Sequence, residues 1–74
     1  MDTDWSYDPR ARCCRLALAG WTACVERWPA SLEHVARIIA PGRQAIAAPH
    51  VFADMQAAQD WCLREIARQA PGEA

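Results

Sequence analysis

The reading of the fold turns on two runs, Arg12-Cys13-Cys14-Arg15-Leu16-Ala17-Leu18 and Trp21-Thr22-Ala23-Cys24-Val25-Glu26-Arg27-Trp28, separated only by Ala19-Gly20. Both are rich in residues that suit a pleated surface, and a two-residue loop containing Gly predicts a tight antiparallel hairpin. With Ala19 and Gly20 as the loop, Leu18 faces Trp21, Leu16 faces Ala23 and Cys14 faces Val25. The alternate set pairs Ala17 with Thr22, Arg15 with Cys24 and Cys13 with Glu26. One face then carries Cys14, Leu16, Leu18, Trp21, Ala23 and Val25, and the other carries Cys13, Arg15, Thr22, Cys24, Glu26 and Trp28. That is the alternation of a sheet packed on one side only.

Working outward, Pro29 ends the second strand and Ala30 to Glu33 form a turn. A third strand follows over His34 to Ala40, closed by Pro41-Gly42. Turning Arg37 outward sends Ala36 and Ile38 inward and leaves Val35 and Ile39 beside Arg37 on the outer face. Residues 43 to 51 stay open between a short fourth edge strand and a loop, with Pro49 opposing a central strand. Asp54 is a good N-cap, Phe52 before it is a core anchor, and a helix should run from Met55 to Gln69 before Pro71-Gly72. On that helix Met55, Gln59, Cys62, Leu63 and Ile66 share one face, with Ala58 at its edge. Ala57, Arg64 and Arg68 lie opposite, and Trp61 falls among them.

The expected fold is therefore α+β: a three-stranded antiparallel sheet over residues 12–40, packed on one C-terminal α-helix over residues 54–69. Residues 1–9 are expected to be an acidic tail and 70–74 a short tail of a single domain. Seventy-four residues suit one thin layer of helix on one layer of sheet, since a chain of this size buries only about 60% of its unfolded surface. A composition of 53% hydrophobic and 23% charged residues is that of a folded chain rather than a disordered one. No apolar run approaches the length of a membrane span and the N-terminal stretch has no apolar h-region, so the expectation is a cytoplasmic protein without membrane contact.

The net charge of −1 is unevenly spread. Three Asp stand in residues 1 to 8, whereas residues 9 to 50 hold six Arg against Glu26 and Glu33, and the region from residue 51 onward is acidic again. All eight basic residues are Arg, a usage that matches high-GC bacterial or phage coding sequence.

Chemistry-bearing constellations are sparse. Cys13 and Cys14 are adjacent, which does not make the spaced chelate of a zinc site, and neither His34 nor His50 has a partner at ligand spacing. No metal or other cofactor is expected. Cys14 and Cys62 point to the core as small hydrophobes; Cys13 and Cys24 lie diagonally on the outer face, within reach of each other, and a cytoplasmic chain should keep them reduced. Ser6 and Ser31 have no neighbouring base, the acids are dispersed, and the three glycines form no phosphate-binding loop. The chain is expected not to be an enzyme.

The four Trp, set among Arg, are the composition enriched at interface hot spots. Trp21 is assigned to the core. Trp28 joins Arg15, Val35 and Arg37 in an outer-face patch, and Trp61 with Arg64 and Arg68 makes a second on the helix back. The competing reading has the acidic tail folding over the sheet, with Trp5 or Tyr7 on its outer face, and Trp61 packing on the 43 to 51 segment.

Trp21-x-Ala23-x-Val25, Ala36-x-Ile38, the Pro41-Gly42-Arg43 turn, Phe52, and Ala58 followed by Trp61 on a helix resemble the three-strand-plus-helix pattern of tyrosine-recombinase arm-binding and ethylene-response-factor-type DNA-binding domains. The resemblance covers residues 12 to 69 and implies major-groove contact by Arg15, Arg37 and Trp28, with Arg12 and Arg27 nearby. The absence of Lys, Glu26 in mid-face and the three-Asp tail depart from that pattern and oppose phosphate neutralisation. In size and in its Trp- and Arg-rich surface the chain also resembles small phage or mobile-element accessory proteins, anti-CRISPR inhibitors among them. The expected function is accordingly a non-enzymatic accessory or inhibitor that binds a larger protein or complex. A DNA-binding module is the alternative, and self-association as a homodimer through an open sheet edge is a third expectation.

Overall fold

The computed structural model describes residues 5–27 and 33–69. Five strands, β1 (Ser6–Asp8), β2 (Cys13–Leu18), β3 (Trp21–Arg27), β4 (His34–Ile39) and β5 (Ala45–Ala47), precede one helix, α1 (Met55–Gln69). The strands lie in sequence order β1-β2-β3-β4-β5, and every neighbouring pair is antiparallel. The fold is α+β, as expected, but the sheet is wider than three strands.

The β2–β3 register is the expected one at every position, from Cys13 opposite Glu26 to Leu18 opposite Trp21. Its turn explains why. Ala19 (φ 55°) and Gly20 (φ 83°) both occupy the left-handed region, the signature of a type I′ turn, whose twist matches that of the flanking strands. A Cβ at position 20 would also stand 3.4 Å from Pro41 Cγ, so this glycine answers both to backbone conformation and to the next loop.

The expected acidic tail is corrected: Ser6–Asp8 is an edge strand, with Ser6 opposite Arg15, Tyr7 opposite Cys14 and Asp8 opposite Cys13. Three residues are too few for alternation to be read, yet the turn has a mechanism. Asp8 Oδ1 accepts from Arg10 N–H at 3.0 Å and from Ala11 N–H at 3.5 Å, reversing the chain ahead of β2. Pairing along the free edge of β2 satisfies backbone groups that would otherwise be open. Ser6–Asp8 thus extend the sheet in its own plane, Trp5 packs against the core cluster, and residues 1–4 of the expected tail lie outside the described residues.

The open segment 43 to 51 resolves into β5 and a loop. Ala40 N–H donates to Gln44 O and Arg43 N–H to Ala40 O, both at 2.8 Å, which closes a short loop with Arg43 at φ 74°. Ala48 N–H still donates to Ala36 O at 2.9 Å; beyond it the chain leaves the ladder across Pro49 and returns at Phe52, whose N–H and C=O exchange hydrogen bonds with His34 at 2.9 and 2.8 Å. The proline falls in the gap between two stretches of pairing, where its missing N–H costs nothing.

Helix α1 has the predicted bounds. Asp54 caps it, its Oδ1 accepting from Ala57 N–H at 2.8 Å. Its buried line is Ala58, Cys62 and Ile66, so Ala58 stands at the centre of the packed face instead of its edge. The sheet beneath offers Ala23, Val25, Ala36 and Ile38, all fully buried. Small residues on both sides let the axis approach closely, and Cys62 Sγ reaches to 3.8 Å from the carbonyl oxygen of Arg37. Leu18 shares the inner face by register yet is 42% exposed, because it lies at the sheet's end beyond the cover of α1. His34 is buried at the other end of that face, its Nδ1 without a hydrogen-bond partner among the described residues.

Candidate functional site: the open face of the sheet

Helix α1 covers one side of the sheet, and the register fixes what the other side shows. Three rows run across it. The first is Ser6, Arg15, Cys24, Arg37 and Ala47; the second is Asp8, Cys13, Glu26 and Val35; the third is Ala17, Thr22, Ile39 and Ala45. Arg15 and Arg37 therefore stand in one row, two strands apart, with Cys24 between them. At the spacing of neighbouring strands, their backbones are roughly 10 Å apart.

Of the expected outer-face patch, Arg15, Val35 and Arg37 are brought together by this register, while Trp28 lies outside the described residues. The expected turn over Ala30 to Glu33 lies outside them as well, apart from exposed Glu33. Arg15 is exposed beside a shallow depression of about 460 Å³ lined with Ser6, Leu16, Ala17 and Thr22. The Arg37 side chain is 43% exposed and its Nη1 lies 3.9 Å from Glu26 Oε1. Val35 and Ile39 are partly buried, giving the face an apolar ground between the charges.

Beneath the guanidiniums lie two thiols. Cys13 and Cys24 are 1% and 4% exposed although they face away from the helix, and their sulfurs are 2.8 Å apart. Burial, reinforced by the neighbouring Cys24 sulfur, pushes the Cys13 thiol up to about 11, against the pull of Arg15. Arg15 is shifted in turn to a higher pKa, first by its hydrogen bond to Cys13 and then by Cys24.

The second expected patch is divided. Trp61 is partly buried against the core cluster, so the indole packs as well as facing outward. With Arg64 it lines a cleft of about 320 Å³ that also takes in His50, Phe52, Ala57 and Asp60. The rings of His50 and Phe52 meet edge-to-face at 4.7 Å. Arg68 is one turn further on, its Nη2 donating to Glu65 Oε2 at 3.1 Å. Gln69 Nε2 donates to the same oxygen at 2.9 Å, and these bonds, Gln69 first, hold the Glu65 carboxyl below its usual range.

Sequence reasoning missed Ser6 beside Arg15, and Phe52 and Asp60 beside Trp61; Thr22 was expected on the face of Arg15, and His50 lies in the 43 to 51 segment on which the competing reading packed Trp61. The signal for Ser6 was the turn chemistry of Asp8; that for Asp60 was its spacing of one helical turn from Arg64. No group of three or more His, Cys, Asp or Glu among the described residues is gathered as a metal site requires, and no helix among them is long and apolar enough to cross a membrane. Comparison with protein families, curated proteins and solved structures found no match for the chain.

Proposed function

We propose that this chain is a small non-enzymatic binding protein that docks on a larger protein or complex through the open face of its sheet, as small phage accessory proteins and anti-CRISPR inhibitors do with their targets. The supporting observation is the row Arg15–Cys24–Arg37, flanked by Val35 and Ile39, on a side of the sheet that α1 leaves uncovered. Two guanidiniums over an apolar ground suit a partner surface that offers carboxylates beside aliphatic or aromatic side chains. Trp28 belongs to this proposal through its place in the sequence, and Trp61, Arg64 and Arg68 form its secondary surface.

The DNA-binding alternative uses the same face, but Glu26 stands in its middle row and lies against Arg37. Neutralising several phosphates demands a steep fall in affinity with salt. A salt titration against duplex DNA therefore separates the two: the protein reading expects no salt-sensitive duplex binding.

The experiment for the main reading is affinity capture from host lysate, followed by titration of the purified partner against wild type and the double variant Arg15→Glu/Arg37→Glu. Affinity should fall by roughly tenfold or more with the melting temperature nearly unchanged, as expected for charged anchors at an interface centre. Unchanged affinity in a folded double variant overturns the assignment.

A further inference from the structure

We propose that Cys13 and Cys24 are a disulfide-forming pair that joins β2 to β3 when the protein meets a low-molecular-weight disulfide oxidant such as oxidised glutathione. The inference rests on the sheet register and the thiol geometry, independently of what the open face binds.

The four cysteines fall into two sets. Cys14 and Cys62 lie on the helix side, Cys14 opposite Val25 and Cys62 over the Arg37 carbonyl. Cys13 and Cys24 lie on the other side of the sheet, one diagonal apart, because Cys13 is opposite Glu26 and Cys24 opposite Arg15. Diagonal neighbours are the longer contacts across a strand pair, so two sulfurs meet there only when both side chains turn toward each other. They do: the separation is 2.8 Å.

That distance selects among the things two thiols can do. Two thiolates on one tetrahedral zinc stand about 3.8 Å apart, given zinc–sulfur bonds of about 2.3 Å, so this pair is too close for a shared metal. A disulfide bond is about 2.05 Å, which leaves about 0.8 Å to close. The closure draws β2 and β3 together along the diagonal, beneath Arg15.

The chemistry is a two-step exchange. The thiolate of one cysteine attacks a sulfur of the oxidant, breaking its S–S bond, forming a mixed disulfide and releasing one small thiol. The second cysteine, already in contact, attacks the protein sulfur of that mixed disulfide, forms the Cys13–Cys24 bond and releases the second small thiol. The pair gives up two electrons to the oxidant, and its two protons end on the released thiols. The first step is slow, because both sulfurs are buried and the Cys13 thiol resists ionisation; the second is fast, because the partner is at hand. The mixed disulfide therefore does not accumulate, and the overall rate rises with pH as the thiolate fraction rises.

The test is oxidation of the folded protein in a glutathione redox buffer, followed by alkylation, tryptic digestion and mass spectrometry. Trypsin leaves Cys13 and Cys14 on one tripeptide and Cys24 on the segment 16–27, so a linked peptide alone does not assign the bond. Fragmentation of the wild-type linked peptide and the variants Cys13→Ala and Cys14→Ala do. The expected result is a mass loss of two hydrogens, a 13–24 linkage that survives Cys14→Ala and is lost in Cys13→Ala, and recovery of the reduced form with dithiothreitol. A folded wild type that stays fully reduced, that accumulates a glutathione adduct, or whose dominant linkage involves Cys14 or Cys62 overturns the proposal.

Discussion

The two faces of this sheet are made from the same strands and differ in almost everything else. The face under α1 is built of Cys14, Leu16, Ala23, Val25, Ala36 and Ile38, with Ala58, Cys62 and Ile66 closing over them. The face opposite carries Arg15, Arg37 and Glu26 in partly solvated positions, with Val35 and Ile39 between and two thiols beneath. One residue of register separates the two sets, so the alternation in the sequence places the packed core on one side and the partly solvated charges on the other.

The largest expected effect comes from breaking the covered side. Ile66 is 2% exposed, and Ile66→Ala should cost about 2–5 kcal/mol in urea unfolding, a large part of the stability of so small a domain. Removing the cap that fixes the start of the helix should cost less: Asp54→Ala leaves Ala57 N–H without its 2.8 Å acceptor and should lose about 1 kcal/mol.

A pH titration sharpens the same comparison from another direction. Burial pushes the Cys62 thiol, on the covered side, and the Cys13 thiol, on the open side, from 9.0 up to about 11. A thiol raised in the folded state keeps its proton longer than in the unfolded chain, so its contribution is intact below about 9 and is lost as pH rises through about 11. The urea midpoint should therefore fall across that window, and Cys62→Ala should flatten part of the decline.

Substitutions on exposed charges should do least to the fold. Arg68→Ala removes the ion pair of an exposed guanidinium with the partly covered Glu65 carboxylate, which keeps its bond to Gln69, and should leave the urea midpoint nearly unchanged in the same denaturation series. A larger loss would mean that the helix back is packed rather than solvated.

Much of this division was legible in the sequence, and the reasons are specific. Ala19-Gly20 fixed the β2–β3 register because a two-residue loop allows few alternatives, and every partner from Cys13–Glu26 to Leu18–Trp21 followed. The helix bounds were legible through Asp54 and Pro71. Strand β1 was not, because three residues carry no period and Tyr7, on the covered side by register, is still 58% exposed. The centre of the helix face was misplaced because periodicity weights large side chains, whereas close packing on Ala23 and Ala36 favours Ala58. Trp61 was placed among the back residues, yet it is partly buried and packs against the core cluster.

Ile38 and Ile39 are adjacent on β4 and point to opposite faces, which makes them the most direct probe of an open and a covered side. Ile38 is fully buried and Ile39 partly so. Urea unfolding of Ile38→Ala and Ile39→Ala should show a loss of about 2–5 kcal/mol for the first and about 1 kcal/mol or less for the second. Equal losses would mean that the face bearing Arg15 and Arg37 is covered too, and would contradict its assignment as the docking surface.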